Sequence, residues 1–389
     1  MIKIDKRNFT KPNGKLVSIS IGRDRSYAFI PKPLPPQIEY DKDLAFLLSE
    51  ADRSFSRLAG LGQNLDNPYL LILPYIKKEA VASSKIEGTQ ASLTDLFLYE
   101  LQEKKPKEDP LRIKEVNNYV IATQRALKSL RKNEISADFI RYMHSMLLRR
   151  VRGQKKHPGH FRLTQNAIVP YENCPIEKII FIPPPSKEVM PLITDLERFM
   201  KGEQRIPLLI RAAMIHYQFE TIHPFEDGNG RIGRLLITLY LCKKGDMKNA
   251  LLYISGFLTK NRDEYYGSLL KVSQKNDWED WIKYFLTAIN TQSLEVIKDV
   301  EKLINLKKIY DTYLRRAKVS KNVKMLSEQL FTNPYTTVNN AARYLGISYQ
   351  AAIKIIKTLI RLGILVERGK KKRNKVYMAV DIMRILDRI

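Results

Sequence analysis

His223-Pro-Phe-Glu-Asp-Gly-Asn-Gly-Arg-Ile-Gly-Arg234 gathers a base, a carboxylate, three glycines and two arginines into twelve residues. His223 can take a proton near neutral pH. Asp227 offers the hard oxygen that Mg²⁺ prefers. Gly228, Asn229 and Gly230 can present backbone N–H groups to an anion, and Arg231 and Arg234 add fixed positive charge three residues apart on one helix face. Together these groups suit a polyphosphate.

The flanking sequence decides between two frameworks for this stretch. Gly228, Gly230 and Gly233 also satisfy the dinucleotide pattern G-x-G-x-x-G, which requires a strand before it and a parallel βαβ unit around it. Residues 206–221 instead carry Ile210, Ala213, Met214 and Tyr217 at i, i+3, i+4, i+7, a helical period. A helix in that place excludes the dinucleotide fold.

The dodecamer fills every specified position of His-x-Phe-x-(Asp/Glu)-Gly-Asn-Gly-Arg-x-x-Arg and so resembles the core motif of the Fic family. The resemblance implies a mainly α fold: a Fic-type helical core with a β-hairpin flap. It also implies a reaction, AMP transfer from ATP with Mg²⁺ to a Ser, Thr or Tyr hydroxyl of a protein, the chain itself included. On this reading His223 is the catalytic base. Phe225, Asp227, Gly228, Asn229, Gly230, Arg231 and Arg234 form the ATP and phosphate site, with Asp227 as metal ligand. Phe225 is expected to anchor the loop in the core. Gly159-His-Phe161-Arg162, two short β-type runs (166–169 and 178–182) and Pro183-Pro184-Pro185 resemble the flap, which places a target protein along about 162–184. Asn261-Arg-Asp-Glu-Tyr265-Tyr266 resembles the segment near the adenosine, with Asn261 and Tyr266 as the contacts. Ser83-Ser-Lys-Ile-Glu87-Gly88 resembles the family's inhibitory motif: Glu87 pairs with Arg234 and denies it to the γ-phosphate. AMP removal at the same site is the alternative direction of the chemistry.

The rest of the chain divides by pattern. Residues 1–110 read as an extended Lys/Pro arm followed by helices, one of them stopped by Gly88. Residues 111–292 form the catalytic core, 293–317 a linker helix or equally a member of the bundle, and 318–389 a winged helix domain. In the last unit Gly346 makes the turn and Ser348 caps a second helix, with Tyr349, Gln350 and Lys354 exposed and a basic wing at 370–375. That module suggests DNA or protein contact, and an alternative reading of the chain is a DNA-binding regulator around a nucleotide-sensing core. Trp278 and Trp281 are expected as core anchors.

Composition sets the outer limits. The net charge is +26, of which +11 falls in the last 72 residues, an excess that bears on anionic partners and not on fold. Two cysteines make no disulfide framework, and the N-terminus has no apolar leader. No run is long enough to cross a bilayer, which points to the cytoplasm and no membrane partner. Self-association into a homodimer stays open.

Overall fold

The centre of the molecule is a helix with no solvent-facing side. In this computed structural model residues 5–21, 24–63, 69–101, 110–169, 179–203, 205–245, 251–369 and 375–387 are described. In chain order these give a hairpin, β1 (Gly14–Ile21) and β2 (Asp24–Pro31), then α1 (Lys42–Gln63), α2 (Tyr69–Ile86), α3 (Leu93–Glu100), α4 (Pro110–Leu130), α5 (Ala137–Leu147), α6 (Ser186–Lys201), α7 (Leu208–Ile222) and α8 (Asn229–Lys244). There follow α9 (Ser255–Lys260), α10 (Arg262–Lys275), α11 (Trp278–Arg316) and α12 (Lys321–Thr332). The C-terminal unit adds β3 (Tyr335–Thr337), α13 (Val338–Leu345), α14 (Tyr349–Arg361), β4 (Val366–Arg368), β5 (Val376–Met378) and α15 (Val380–Leu386).

Helix α7 is buried from Leu209 to Ile222. A helix apolar on one stripe only would sit at the surface; this one is surrounded, so its polar residues need internal partners. Arg211 donates to the carbonyls of Phe199 and Gly202, and Gln218 donates to the Lys32 carbonyl. His216 meets the Tyr265 hydroxyl at 2.8 Å. Helix α8 lies close beside α7 because Gly233 has no side chain: a Cβ there would stand 2.1 Å from Glu220 Oε1.

Local signals explain the outer helices. Ser92 caps α3 in a reciprocal capping box with Asp95, and Ser136 caps α5 through the Phe139 N–H. Gly88, at φ +85°, stops the helical turn after α2 in the left-handed conformation that glycine adopts without strain.

One expectation is corrected and two are made more specific. The N-terminal arm is an antiparallel hairpin with Gly14 opposite Pro31, and Phe29 N–H donates to the Ile182 carbonyl. The alternation of Leu16, Ser18 and Ser20 with Val17, Ile19 and Ile21, which a reading by proline and lysine content passes over, accounts for it. The stretch expected as a separate linker helix at 293–317 is the continuation of the 39-residue α11, whose Trp278 and Trp281 are core anchors as expected. No break falls at residue 293, because Gln292, Ser293, Val296 and Ile297 are buried in succession. Of the flap, the described residues show one antiparallel bridge, Ile168 with Phe181; residues 170–178, with Cys174, lie outside the description.

The C-terminal unit orders its sheet β3-β5-β4 beside α13 and α14 and packs through α12 on α2. A polar seam fixes the contact. Lys77 of α2, 2% exposed, gives its ammonium to Glu100 at 2.7 Å, and Asn333 donates to the same carboxylate at 3.1 Å and to the Phe97 carbonyl. Tyr335 stacks near Phe97 and meets the Thr94 hydroxyl at 3.2 Å. Among the described residues no helix is long and apolar enough to cross a membrane.

Candidate active site

The twelve-residue stretch forms the join between α7 and α8. His223 closes α7 in the left-handed conformation, φ +50°, and Gly228, φ +80°, opens α8. The preceding element is therefore a helix, and the glycine pattern is not a dinucleotide loop. A non-glycine residue at positive φ is held there by its surroundings. The holder is Arg162: its backbone N–H and guanidinium bond three consecutive carbonyls, Pro224 at 2.9 Å, His223 at 2.9 Å and Ile222 at 3.3 Å, and it reaches Pro184 and Thr164 as well. Burial pushes the Arg162 guanidinium down to about 10, still charged at neutral pH.

His144 makes a second clamp. Its ring lies flat on Phe225 at 3.7 Å, with 7° between the planes. Nδ1 accepts from Gly159 N–H at 2.9 Å, so Nε2 carries the proton and donates to the Asp227 carbonyl at 2.8 Å. Asn229 completes the loop: its Oδ1 accepts from Phe225 N–H and its Nδ2 donates to Phe225 O, both at 2.8 Å. The polar groups of Phe225 and the Asn229 amide are thus spent inside the loop. Their side chains brace the site, and what α8 presents from here is the backbone of its first turn, which has no side-chain cap.

The chemical groups can now be placed. His223 Nδ1 lies 3.2 Å from the Glu220 carbonyl, which can only accept, so Nδ1 bears the hydrogen and Nε2 keeps its lone pair. Burial pushes this imidazole down to about 4, against the opposing pull of that hydrogen bond, so the ring is neutral and basic at pH 7. Arg231 and Arg234 are 2% and 0% exposed. Arg231 meets Asp227 at 3.3 Å and its Nη1 faces Glu115 at 3.9 Å, yet its Nε and Nη1, and Nη1 of Arg234, have no hydrogen-bond acceptor among the described residues. Buried guanidinium N–H groups without acceptors are costly, and a bound anion would satisfy them.

Ser83 and Glu87, at the end of α2, both meet Arg234. Arg234 donates from Nε to Ser83 Oγ and from Nη2 to Ser83 O, each at 2.9 Å, and from Nη2 to Glu87 Oε1 at 2.7 Å. Burial raises the Glu87 carboxyl, but the guanidinium outweighs it and leaves the group below its usual value. The carboxylate lies against the α8 backbone: a Cβ on Gly230 would stand 2.2 Å from Glu87 Oε1. An anion already occupies the N-terminus of α8, and it belongs to the protein.

The remaining expected residues divide. Tyr266 is half-buried; the Arg262 guanidinium lies 5.1 Å from its ring, and the charges of Glu87 and Arg234 both act on its hydroxyl. Tyr265 is fully buried against His216 and belongs to the core. The Asn261 amide bonds back to Phe257 O at 3.0 Å and joins α9 to α10. Asp227 is 30% exposed on its side chain and is the acid of the motif nearest the arginines. Among the described residues no cluster of three His, Cys, Asp or Glu could hold a metal unaided. One exposed carboxylate beside bound phosphates nevertheless meets what Mg²⁺ asks of a protein.

Sequence reasoning missed His144, Arg162, Glu220 and Arg262. His144 lies on the buried face of α5 and reads as core. Arg162 acts through carbonyls, which leave no pattern in side chains. Glu220 is buried with Oε1 unbonded, and burial pushes its carboxyl up to about 8. Arg262 donates to the Ile86 carbonyl at the end of α2.

Comparison with known proteins agrees with this geometry. A Fic/DOC N-terminal family model matches residues 45–128, and the Fic/DOC family model matches 134–241. The chain therefore carries a Fic/DOC N-terminal region and a Fic/DOC domain. Among its relatives, a probable protein adenylyltransferase of Aquifex aeolicus is 27% identical over 192 residues, 49% of this chain and 56% of that one. The protein adenylyltransferase fic-1 of Caenorhabditis elegans is 31% identical over 163 residues, 41% of this chain and 28% of that one. The chain thus spans little more than half of the first relative and under a third of the second. A Fic family protein from Desulfovibrio desulfuricans shares the fold, with a TM-score of 0.58 at 20% identity, covering 89% of this chain and 98% of that one.

Proposed function

We propose that this Fic protein transfers AMP from ATP to a Ser, Thr or Tyr hydroxyl of a target protein, and that it is held down by its own Glu87. The observation that supports the reading is a neutral imidazole beside two buried arginines, three of whose nitrogens lack an acceptor among the described residues.

The chemistry follows from the placement. Nε2 of His223 takes the proton of the incoming hydroxyl. That oxygen bonds to the α-phosphorus, the bond from phosphorus to the α,β-bridging oxygen breaks, and pyrophosphate leaves with the electron pair. The first turn of α8 and Arg231 meet phosphate oxygens; Arg234, once free of Glu87, meets the outermost phosphate. Mg²⁺ bound with the triphosphate would be held by Asp227 and would offset phosphate charge. Arg162, His144 and Asn229 keep the base in place throughout, and positioning of this kind supplies much of the rate in phosphoryl transfer. Tyr266 lies on the adenosine side. The target segment pairs along the edge at Ile168, where Val169 and Ile180 are exposed.

The test is incubation of the wild type, Glu87→Gly and Glu87→Gly/His223→Ala with α-³²P-ATP and Mg²⁺. Label should enter protein in the Glu87→Gly variant and vanish with His223. A Glu87→Gly protein that is folded, binds ATP and labels neither itself nor any protein of a cell extract overturns the reading.

A further inference from the structure

The largest feature that the transferase reading does not use is the outer face of α14. From Val338 to Val366 the chain has four basic residues, Arg343, Lys354, Lys357 and Arg361, and no acidic one. On a helix each residue turns by about 100°. Ala352, Ile355, Ile356 and Leu359 fill one side of α14 and are buried. Gln350, Lys354, Lys357 and Arg361 fall on the opposite side, Tyr349 lies at the flank in the first turn, and all five are exposed.

The mounting of the helix matters as much as its charge. Helix α13 runs to Leu345, Gly346 turns at φ +63°, and the Ser348 hydroxyl accepts from Ala351 N–H to start α14. Helix α12 backs α14 through the buried side, and β4 and β5 follow it as an antiparallel pair. The 13-residue α14 is thus raised on a rigid support, about 20 Å long, with its polar face outward. The major groove of B-form DNA, about 12 Å wide, admits one α-helix of this diameter.

We propose that the exposed face of α14 binds duplex DNA, lying in the major groove with Lys354, Lys357 and Arg361 on phosphates. Tyr349 and Gln350, at the N-terminal end of the helix, then reach base edges. The occupant is a polyanion because the face carries cations and no acid. It is a duplex because the charges sit on a protruding helix, whereas a single strand is held in a groove lined by stacking rings.

A protein of charge +26 will bind any polyanion weakly, so the test must locate the binding. Fluorescence anisotropy with a labelled 20-base-pair duplex, at 50–200 mM NaCl, compares the full chain with Lys354→Ala/Lys357→Ala/Arg361→Ala. A charge-matched control removes three exposed cations elsewhere, Lys128→Ala/Lys132→Ala/Lys298→Ala. Each lost phosphate contact lowers the slope of log K against log salt by about 0.9. The α14 variant should therefore lose about 2.7 of slope, on the order of 500-fold in affinity at 0.1 M salt relative to the 1 M limit, while the control changes little. Thermal melting guards against unfolding, which surface alanines in a helix should not cause. Equal effects of the two variants, absence of duplex binding at 50 mM salt, or equal competition by a single strand of the same length each overturn the proposal.

Discussion

Replacement of Glu87 by glycine tests the brake most directly. Arg234 is fully buried and makes three bonds into residues 83–87: two to neutral oxygens of Ser83 and one to the Glu87 carboxylate at 2.7 Å. Only the third is lost. A hydrogen bond between charged groups contributes about 1.5–3 kcal/mol. Glu87 is 30% exposed, so solvent screening places this pair at the low end, about 1.5–2 kcal/mol. Since 1.4 kcal/mol is a factor of ten, the fraction of molecules with Arg234 free should rise about 10- to 30-fold. The initial rate of label incorporation from α-³²P-ATP should rise by the same factor if the free-arginine form is the one that turns over. Residue 87 lies in a turn beside Gly88, so glycine there should leave the fold intact. Glu87→Gln, which keeps an acceptor and loses the charge, should fall between wild type and Glu87→Gly. A Glu87→Gly protein that melts as a folded chain but labels no faster, or one that labels faster even without His223, refutes the reasoning.

Other expectations follow from the same geometry. Arg162→Lys cannot reach the carbonyls of Ile222, His223, Pro184 and Thr164 together; with the cost of unmet buried carbonyls at about 1–3 kcal/mol each, urea melting should show a loss of at least that size. In that variant, on a Glu87→Gly background, kcat should drop with KM little changed, because Arg162 touches the loop and not the nucleotide. His223 loses its proton above about pH 4, so transfer by Glu87→Gly should show no acid limb between pH 6 and 8; a limb near 6.5 would contradict the burial of the ring. Glu220, pushed up to about 8, keeps its proton in the folded state well above the unfolded value. Its stabilising contribution is therefore full below about pH 4.5 and is lost as pH rises through 8. Glu220→Gln should gain in melting temperature relative to wild type across that window, and parallel curves would show that Glu220 is ionised throughout. Asp227→Asn should narrow the gap between ATP affinities with and without Mg²⁺ by roughly tenfold, read by titration calorimetry.

Much of the site was legible because its chemistry is local. His223 to Arg234 are contiguous, and the helices on either side announce themselves by period. The Glu87–Arg234 pair, 147 residues apart, was legible only through the family's motif, since nothing in composition joins them. What escaped were the residues that work by tertiary contact, His144 through a stacked ring and Arg162 through carbonyls; Asn229 was named as a phosphate contact, whereas its amide is spent on both polar groups of Phe225. The fold was legible in its helices and misread where a short alternating pattern was masked by lysines and prolines, as in β1 and β2. The unbroken course of α11 was also missed, because a charged exposed half and a buried half look like two helices when read in sequence.

Glu100 holds Lys77 of one rod and Asn333 at the end of another by the same oxygen, Oε2. Ten residues beyond Lys77 along that rod, some 15 Å away, stands Glu87. Levering the C-terminal lobe outward would draw Asn333 off Glu100 and leave that carboxylate to Lys77, so the seat of the rod would lose one of its two ties. Any work that a ligand of the lobe does on this hinge is returned in equal measure when ATP dislodges the far end, because thermodynamic linkage runs both ways.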